Sequence, residues 1–353
     1  LATVPALKQQ GAPLDLLWVG SQGGMEQELV ERAGVAFTAI SVMAVRGKNP
    51  LAMLAAIWTL IQGYRQSLAL IQQFQPEAVF VTGGYVCVPI TLAARRFGVP
   101  VIIYLPDIKP GLAIQFLARF ATRVAVTAPA AQAFFKPNLT VVTGYPVRAE
   151  LLDSTPQRKA EARQQLGLSA DEPTLLVFGG SRGARAINQA ITRDLEAYLQ
   201  ISQIVHITGM LDIDEVMAKR QKLAPELQAR YHVFAYLHEE MTAALLAADL
   251  VVSRAGASVL GEFPAMGLPS ILIPYPHAGA HQTLNAQYLV EHQAAILVQE
   301  VDIIRVLRET IITLTTNPQT LAQMSRACYA LAKPKAATHL AEQILEVKNH
   351  YGS

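Results

Sequence analysis

The 353-residue sequence is poor in cysteine, in charge and in long apolar runs, and each shortage removes a class of protein. Its two cysteines, Cys87 and Cys328, stand far apart without CxxC spacing, so neither a disulfide framework nor a thiolate metal site is expected. The eight histidines show no HExxH or comparable ligand spacing, and no metal is expected. Charged residues make up 16% of the chain and the net charge is +2. Without a basic stripe, that balance argues against a nucleic-acid surface. The 52% of apolar residues describes a well-buried globular chain, long enough for two domains with a core each. The longest apolar run, 51–61, has about 11 residues against the roughly 20 of a spanning helix. Such a run beside Arg46 and Lys48 suits either an interfacial membrane contact or a core helix with a solvated entry loop.

What the sequence does contain is alternation. Short β-branched or apolar runs at 14–19, 78–82, 101–105, 124–127 and 139–143 are separated by longer helical patterns, and so are runs at 174–178, 204–208, 233–235, 250–253, 270–274 and 295–298. This is the pattern of parallel βαβ units. The stretch 153–173 is polar and lacks a strand pattern; it holds an expected helix at 156–166 closed by Gly167. A domain boundary is placed close to Pro146. An internal echo supports two similar halves: Gly98-Val99-Pro100 and Gly267-Leu268-Pro269 each end a helix and open an apolar strand.

Four motifs fall at expected strand ends, where α/β folds bind ligands. Ser253-Arg254-Ala255-Gly256-Ala257-Ser258 follows a buried run, and its small residues let a helix N-terminus approach an anion. Glu262, about one turn into that helix, has the chemistry to accept both hydroxyls of a ribose; a plain strand-to-helix turn with a surface Glu is the alternative. Gly179-Gly180-Ser181-Arg182-Gly183-Ala184, before a helix carrying Asn188, offers a tight turn and backbone N–H groups to a phosphate. Its spacing is neither GxGxxG nor GxxxxGK[ST], and Arg182 and Arg185 read as solvated or phosphate-pairing. Thr143-Gly144-Tyr145-Pro146-Val147-Arg148 places an Arg on a rigid turn, suited to a diphosphate or to a surface ion pair. Gly83, Gly84 and Tyr85 form the fourth, a turn that either admits a substrate or merely closes.

In this order, with Leu117-Ala118-Arg119-Phe120-Ala121 and with Gln282 and Asn285, the motifs resemble the family 28 glycosyltransferases, in particular the N-acetylglucosaminyl transferases of peptidoglycan synthesis. The resemblance covers nearly the whole chain. It implies an α/β GT-B fold of two Rossmann-like, doubly wound domains with a cleft between them: 1–146 facing the acceptor and membrane, 147–333 binding the UDP-sugar, and a final helix in 334–353 packing back on the first. It implies UDP-N-acetylglucosamine and lipid I as partners, inverting transfer to lipid I, no required cofactor, and a peripheral place on the cytoplasmic face of the membrane. It assigns Arg148 and Ser181 to the donor diphosphate, the backbone of Ala257, Ser258, Val259 and Leu260 to the phosphates, Glu262 to the ribose, and Gln282 to the sugar hydroxyls. Asn285 supports the loop. The segment around His238 reads uracil through main chain, with His238 where an apolar residue is usual. Gly83, Gly84, Tyr85 and Asp107 fall on the acceptor side.

The chain departs from the family where His-Glu-Gln-Asn becomes Tyr104-Leu105-Pro106-Asp107, so that Asp107 is a candidate base or acceptor contact. Ser258 stands beside a position that usually supplies a Thr hydroxyl. The family's glycine-rich loop, whose His is a leading candidate for general base, is expected before Leu1. Three other readings stay open: a related transferase with another lipid acceptor, a UDP-N-acetylglucosamine 2-epimerase, which should carry additional acid–base carboxylates and His that the sequence does not place, and a non-catalytic UDP-sugar binding protein.

Overall fold

A strand buried on both faces has no solvent side, so it reads as a short unbroken run of Val, Ile and Leu, and such strands pair in parallel under helices. The computed structural model, described over residues 1–10, 14–23, 26–42, 50–180, 183–277 and 280–351, follows that rule. The strands among these residues are β1 (Leu17–Ser21), β2 (Ala36–Ile40), β3 (Val79–Val81), β4 (Val101–Leu105), β5 (Arg123–Val126), β6 (Thr140–Val142), β7 (Thr174–Phe178), β8 (Gln203–Ile207), β9 (Tyr231–Phe234), β10 (Leu250–Ser253), β11 (Ser270–Leu272) and β12 (Ala295–Leu297). Every pairing between them is parallel. The chain forms two compact units, Leu1–Pro146 with Lys335–Ser353, and Val147–Pro334.

In the first unit β1 pairs with β2, and β3, β4, β5 and β6 form a four-stranded sheet in that order. All five residues of β4 are buried. The core gathers Ile90, Ile103, Leu117 and Val124. The helix Ala336–Tyr351 belongs to this unit: Leu340 packs on Tyr104 and Ala125, and Ala341 on Ala6 and Leu7 of the helix Val4–Gln9. Arg123 pins it, reaching Gln343 and, at 2.8 Å, Glu346. β2 had no counterpart among the expected strands, because Ala36–Ile40 is mostly half-buried and lacks a Val/Ile run. The apolar run 51–61 lies in a 25-residue helix, Pro50–Phe74. No described helix is long and apolar enough to cross a membrane. Arg46 and Lys48 lie outside the described residues.

The second unit has one six-stranded sheet in the order β12-β11-β10-β7-β8-β9. The chain enters at the middle with β7, runs out to β9, and returns to β10 on the other side of β7. Connections from β7 and β10 therefore leave in opposite directions, which makes their carboxyl ends the topological switch point. Their amino ends are tied down by Asp249, which accepts from Thr174 N and Arg163 Nη2 (both 2.7 Å) and pairs with Lys159 Nζ at 2.5 Å. Arg163 and Lys159 sit on the helix Pro156–Gln165, capped by the Thr155 hydroxyl and closed at Gly167, whose φ of +67° is left-handed.

The internal echo is structural. Gly98 (φ 71°) and Gly267 (φ 59°) take the left-handed conformation after their helices, and Val99 N donates to Ala94 O (2.9 Å) as Leu268 N does to Phe263 O (3.0 Å). That is the same helix-closing turn twice. The carbonyls of Pro100 and Pro269 then accept from Val79 N and Val251 N, starting the next ladder.

Candidate functional site

β7 and β10 are paired through their last residues, Phe178 opposite Ser253. The glycine-rich turn and the Arg254-Ala255-Gly256 turn therefore leave the same sheet edge from adjacent strands. In the first turn backbone approaches backbone: a Cβ on Gly179 would lie 2.3 Å from Ala184 N, and one on Gly183 would lie 2.4 Å from Thr208 O. Gly180 and Gly183 also have φ of 88° and 74°, so the turn needs glycine at each place. Ser181 and Arg182 lie outside the described residues. Arg185 is exposed, with long contacts to Asp212 (3.9 Å) and Glu215 (3.7 Å).

Asn188, one turn into the helix Arg185–Arg193, holds this turn to the rest of the sheet. Its Nδ2 donates to Thr208 O (2.9 Å) and Asp212 Oδ2 (2.8 Å), and its Oδ1 faces His206 Nε2 at 3.0 Å. His206 Nδ1 meets Tyr231 Oη at 2.7 Å. With Asn188 accepting, the His206 proton belongs on Nε2 and the Tyr231 hydroxyl donates to Nδ1. Complete burial pulls the His206 pKa down to about 3, so the ring is neutral.

After β10 the sequence predicts one helix with Glu262 a turn inside it. The structure breaks it into a 3₁₀ turn, Ala257–Leu260, and a helix, Glu262–Met266, with Glu262 as its first residue. Pro264 has no N–H to continue the ladder back to Leu260, so the helix restarts after Gly261. Val259 and Leu260 bury their side chains, which leaves their backbone, Ser258 and Gly256 on the outer side; a Cβ on Gly256 would meet nothing within 4 Å.

Glu262 receives a hydrogen bond from Ser258 and lies 3.9 Å from Arg148 Nη2. Burial raises its pKa, and Arg148 and the Ser258 hydroxyl pull it partly back. Arg148 directly precedes the 3₁₀ helix Ala149–Leu152, which packs on the helix Glu262–Met266. Arg148 and the Ser258–Glu262 segment, distant from it in sequence, are thus brought together. Gln282, in the first turn of the helix His281–Glu291, accepts the Tyr275 N–H on Oε1 at 2.8 Å. Asn285 is buried and donates to Ala255 O at 3.1 Å. His238 is exposed, with Tyr236 edge-on at 4.7 Å between ring centres.

In the first unit, Gly83 (φ 119°) and Gly84 (φ 83°) form a turn between β3 and the helix Cys87–Arg96 that only glycine adopts easily, beside an exposed Tyr85. Asp107 follows β4. Tyr104, also part of the family departure, is buried and bonds Thr127 Oγ1 (2.9 Å) and Gly144 O (3.2 Å); burial holds its phenol far above the usual range. Among the described residues no group of three or more His, Cys, Asp or Glu is placed to hold a metal ion. Sequence reasoning gave no role to Arg254 or His206. The available signal was polarity in the wrong place: a His inside a buried strand, and an Arg directly after one.

Two parallel α/β units, with glycine-rich and small-residue turns at the switch point of the second, have the architecture of the GT-B enzymes. Residues 174–344 match the glycosyltransferase family 28 C-terminal domain and residues 1–126 the family 28 N-terminal domain. Within that family, the chain belongs to the MurG family. It is 42% identical to the UDP-N-acetylglucosamine--N-acetylmuramyl-(pentapeptide) pyrophosphoryl-undecaprenol N-acetylglucosamine transferase of Roseiflexus sp. (strain RS-1), over 92% of this chain and 82% of that one. The enzyme of the same name from Bacillus subtilis (strain 168) is 33% identical over 99% and 95%. The crystal structure of Acinetobacter baumannii MurG superposes with a TM-score of 0.75 at 28% identity, over 98% of this chain and 94% of that chain. The fold alone is shared with a UDP-GlcNAc 2-epimerase from Neisseria meningitidis, TM-score 0.68 at 13% identity, over 98% and 95%.

Proposed function

We propose that the protein transfers N-acetylglucosamine from UDP-N-acetylglucosamine to the C4 hydroxyl of N-acetylmuramic acid in lipid I, forming lipid II and UDP with inversion at the anomeric carbon. The observation that carries this reading, for a chain of this family, is the convergence of Arg148, Ser258 and Glu262 beside the switch point. A carboxylate suits a ribose diol and a guanidinium suits a diphosphate. In the reaction the acceptor oxygen attacks the anomeric carbon, the bond from that carbon to the diphosphate breaks with its electron pair going to the diphosphate, and a base removes the hydroxyl proton.

In this reading Arg148, Ser181 and the backbone of Ala257, Ser258, Val259 and Leu260 stabilise the departing diphosphate, which needs no bound metal. Glu262 holds the ribose. Gln282, whose Oε1 is committed to Tyr275 N, addresses the sugar hydroxyls by donating from Nε2. The backbone around His238 reads the uracil. Gly83, Gly84, Tyr85 and Asp107 serve the acceptor; a fall in kcat of about 10² to 10⁴ in Asp107→Asn would instead make it the base. Exposed Ile57, Trp58 and Ile61 on the helix Pro50–Phe74 suit a peripheral contact with the cytoplasmic face of the membrane, checked by co-sedimentation with anionic vesicles.

The deciding experiment is UDP release. It is expected only when lipid I or a short-chain analogue is supplied, and to persist in a chelator. Equal turnover with a diacylglycerol or lipid A acceptor would overturn the acceptor assignment and favour a related transferase.

A further inference from the structure

Arg254 follows β10 directly, yet its side chain runs across the neighbouring strand ends. Nη1 donates to Ile273 O (3.2 Å) and Pro274 O (3.4 Å), the two carbonyls just past β11. Nη2 lies 2.5 Å from Glu300 Oε2, three residues past β12, and the guanidinium sits 5.4 Å from the centre of the Tyr275 ring. Only 11% of the side chain is exposed. One planar fork thus ties the carboxyl ends of three adjacent strands. An ammonium on a flexible stem cannot reproduce those fixed directions.

What the fork holds bears on Gln282. The Tyr275 under the guanidinium donates its N–H to Gln282 Oε1, which orients that amide. A second tie comes from the other side, where Asn285 Nδ2 donates to Ala255 O, the residue after Arg254. The turn after β10 and the first turn of the helix His281–Glu291 are therefore linked twice. We infer that Arg254, supported by Glu300, is a positioning residue that sets the Gln282 amide for discrimination of the donor's sugar, acting through Tyr275. The inference rests on the reading of Gln282 as the sugar contact.

The test titrates the full chain with UDP and with UDP-N-acetylglucosamine by calorimetry. It compares wild type, Arg254→Lys, Glu300→Gln, Gln282→Ala and the Arg254→Lys/Gln282→Ala double variant. The ratio of the two dissociation constants isolates the sugar's contribution. Gln282→Ala and Arg254→Lys are each expected to weaken UDP-N-acetylglucosamine about tenfold relative to UDP, because a displaced positioning group loses its contact. UDP itself should change by less than about twofold, and the double variant should be no worse than either single one, since both remove the same contact. Turnover preference over the C4 epimer of the donor sugar should fall in parallel. If Gln282→Ala shifts the ratio while Arg254→Lys and Glu300→Gln do not, the inference fails and the Gln282 reading stands. If Gln282→Ala leaves the ratio unchanged, that reading fails and takes the inference with it. Equal losses for both ligands in Arg254→Lys, or additive losses in the double variant, mark a general support of the sheet edge and overturn the inference. Should Arg254→Lys fail to fold, Glu300→Gln, which keeps the side-chain volume, decides by the same ratio.

Discussion

At the scale of single residues, Glu262 is a carboxylate whose surroundings oppose its charge: burial works against it more than Arg148 and Ser258 support it, so its pKa is raised. The folded state then holds the proton more tightly than the unfolded chain. Glu262 therefore favours folding on acidification and disfavours it as pH rises through the shifted value. Glu262→Gln keeps the shape and removes the buried charge. Thermal unfolding at pH 8 should show the variant at least as stable as wild type, while its affinity for UDP falls about tenfold or more through loss of a charged acceptor. A variant both less stable and unchanged in UDP affinity would contradict the assignment.

At the scale of elements, the switch point depends on β7 and β10 staying in register, and Asp249 secures their amino ends. Its carboxylate joins Thr174 N, Arg163 and Lys159, linking both strands to the helix Pro156–Gln165. Asp249→Ala leaves a mostly buried Arg163 without its anion and is expected to cost about 2–4 kcal/mol in urea unfolding. The turns proposed to bind the donor lie at the far strand ends, so kcat of the folded fraction should stay within about twofold. The elements themselves were largely legible. β4, β7 and β10 coincide with expected runs because buried parallel strands are written in Val, Ile and Leu. β2 was not legible, since a half-buried strand without such a run looks like a loop. The break between Ala257–Leu260 and Glu262–Met266 was also missed: Pro264 was visible, but its consequence depends on which helix position it occupies.

At the scale of the whole molecule, His206 couples stability to pH. Its pKa falls from 6.5 to about 3 on complete burial, so between those values the unfolded chain binds a proton that the folded chain refuses. Stability is full above about pH 6.5 and is lost on acidification, with a slope approaching about 1.4 kcal/mol per pH unit for this one group. Urea midpoints at pH 7 and pH 5 should converge in His206→Gln relative to wild type. An unchanged difference would assign the acid sensitivity elsewhere.

The sequence by itself determined the class of the protein: alternating runs specify parallel α/β units, and the motifs from Gly83 through Asn285 carry the resemblance to the family, because periodicity and turn chemistry are local properties. Only the tertiary structure decided which residues meet. Strand order β12-β11-β10-β7-β8-β9 sets the turns after Phe178 and after Ser253 side by side at one sheet edge, and the fold brings Arg148 to Glu262. The roles of Arg254, Asn188 and His206 follow from burial and hydrogen-bond direction, which no linear spacing encodes.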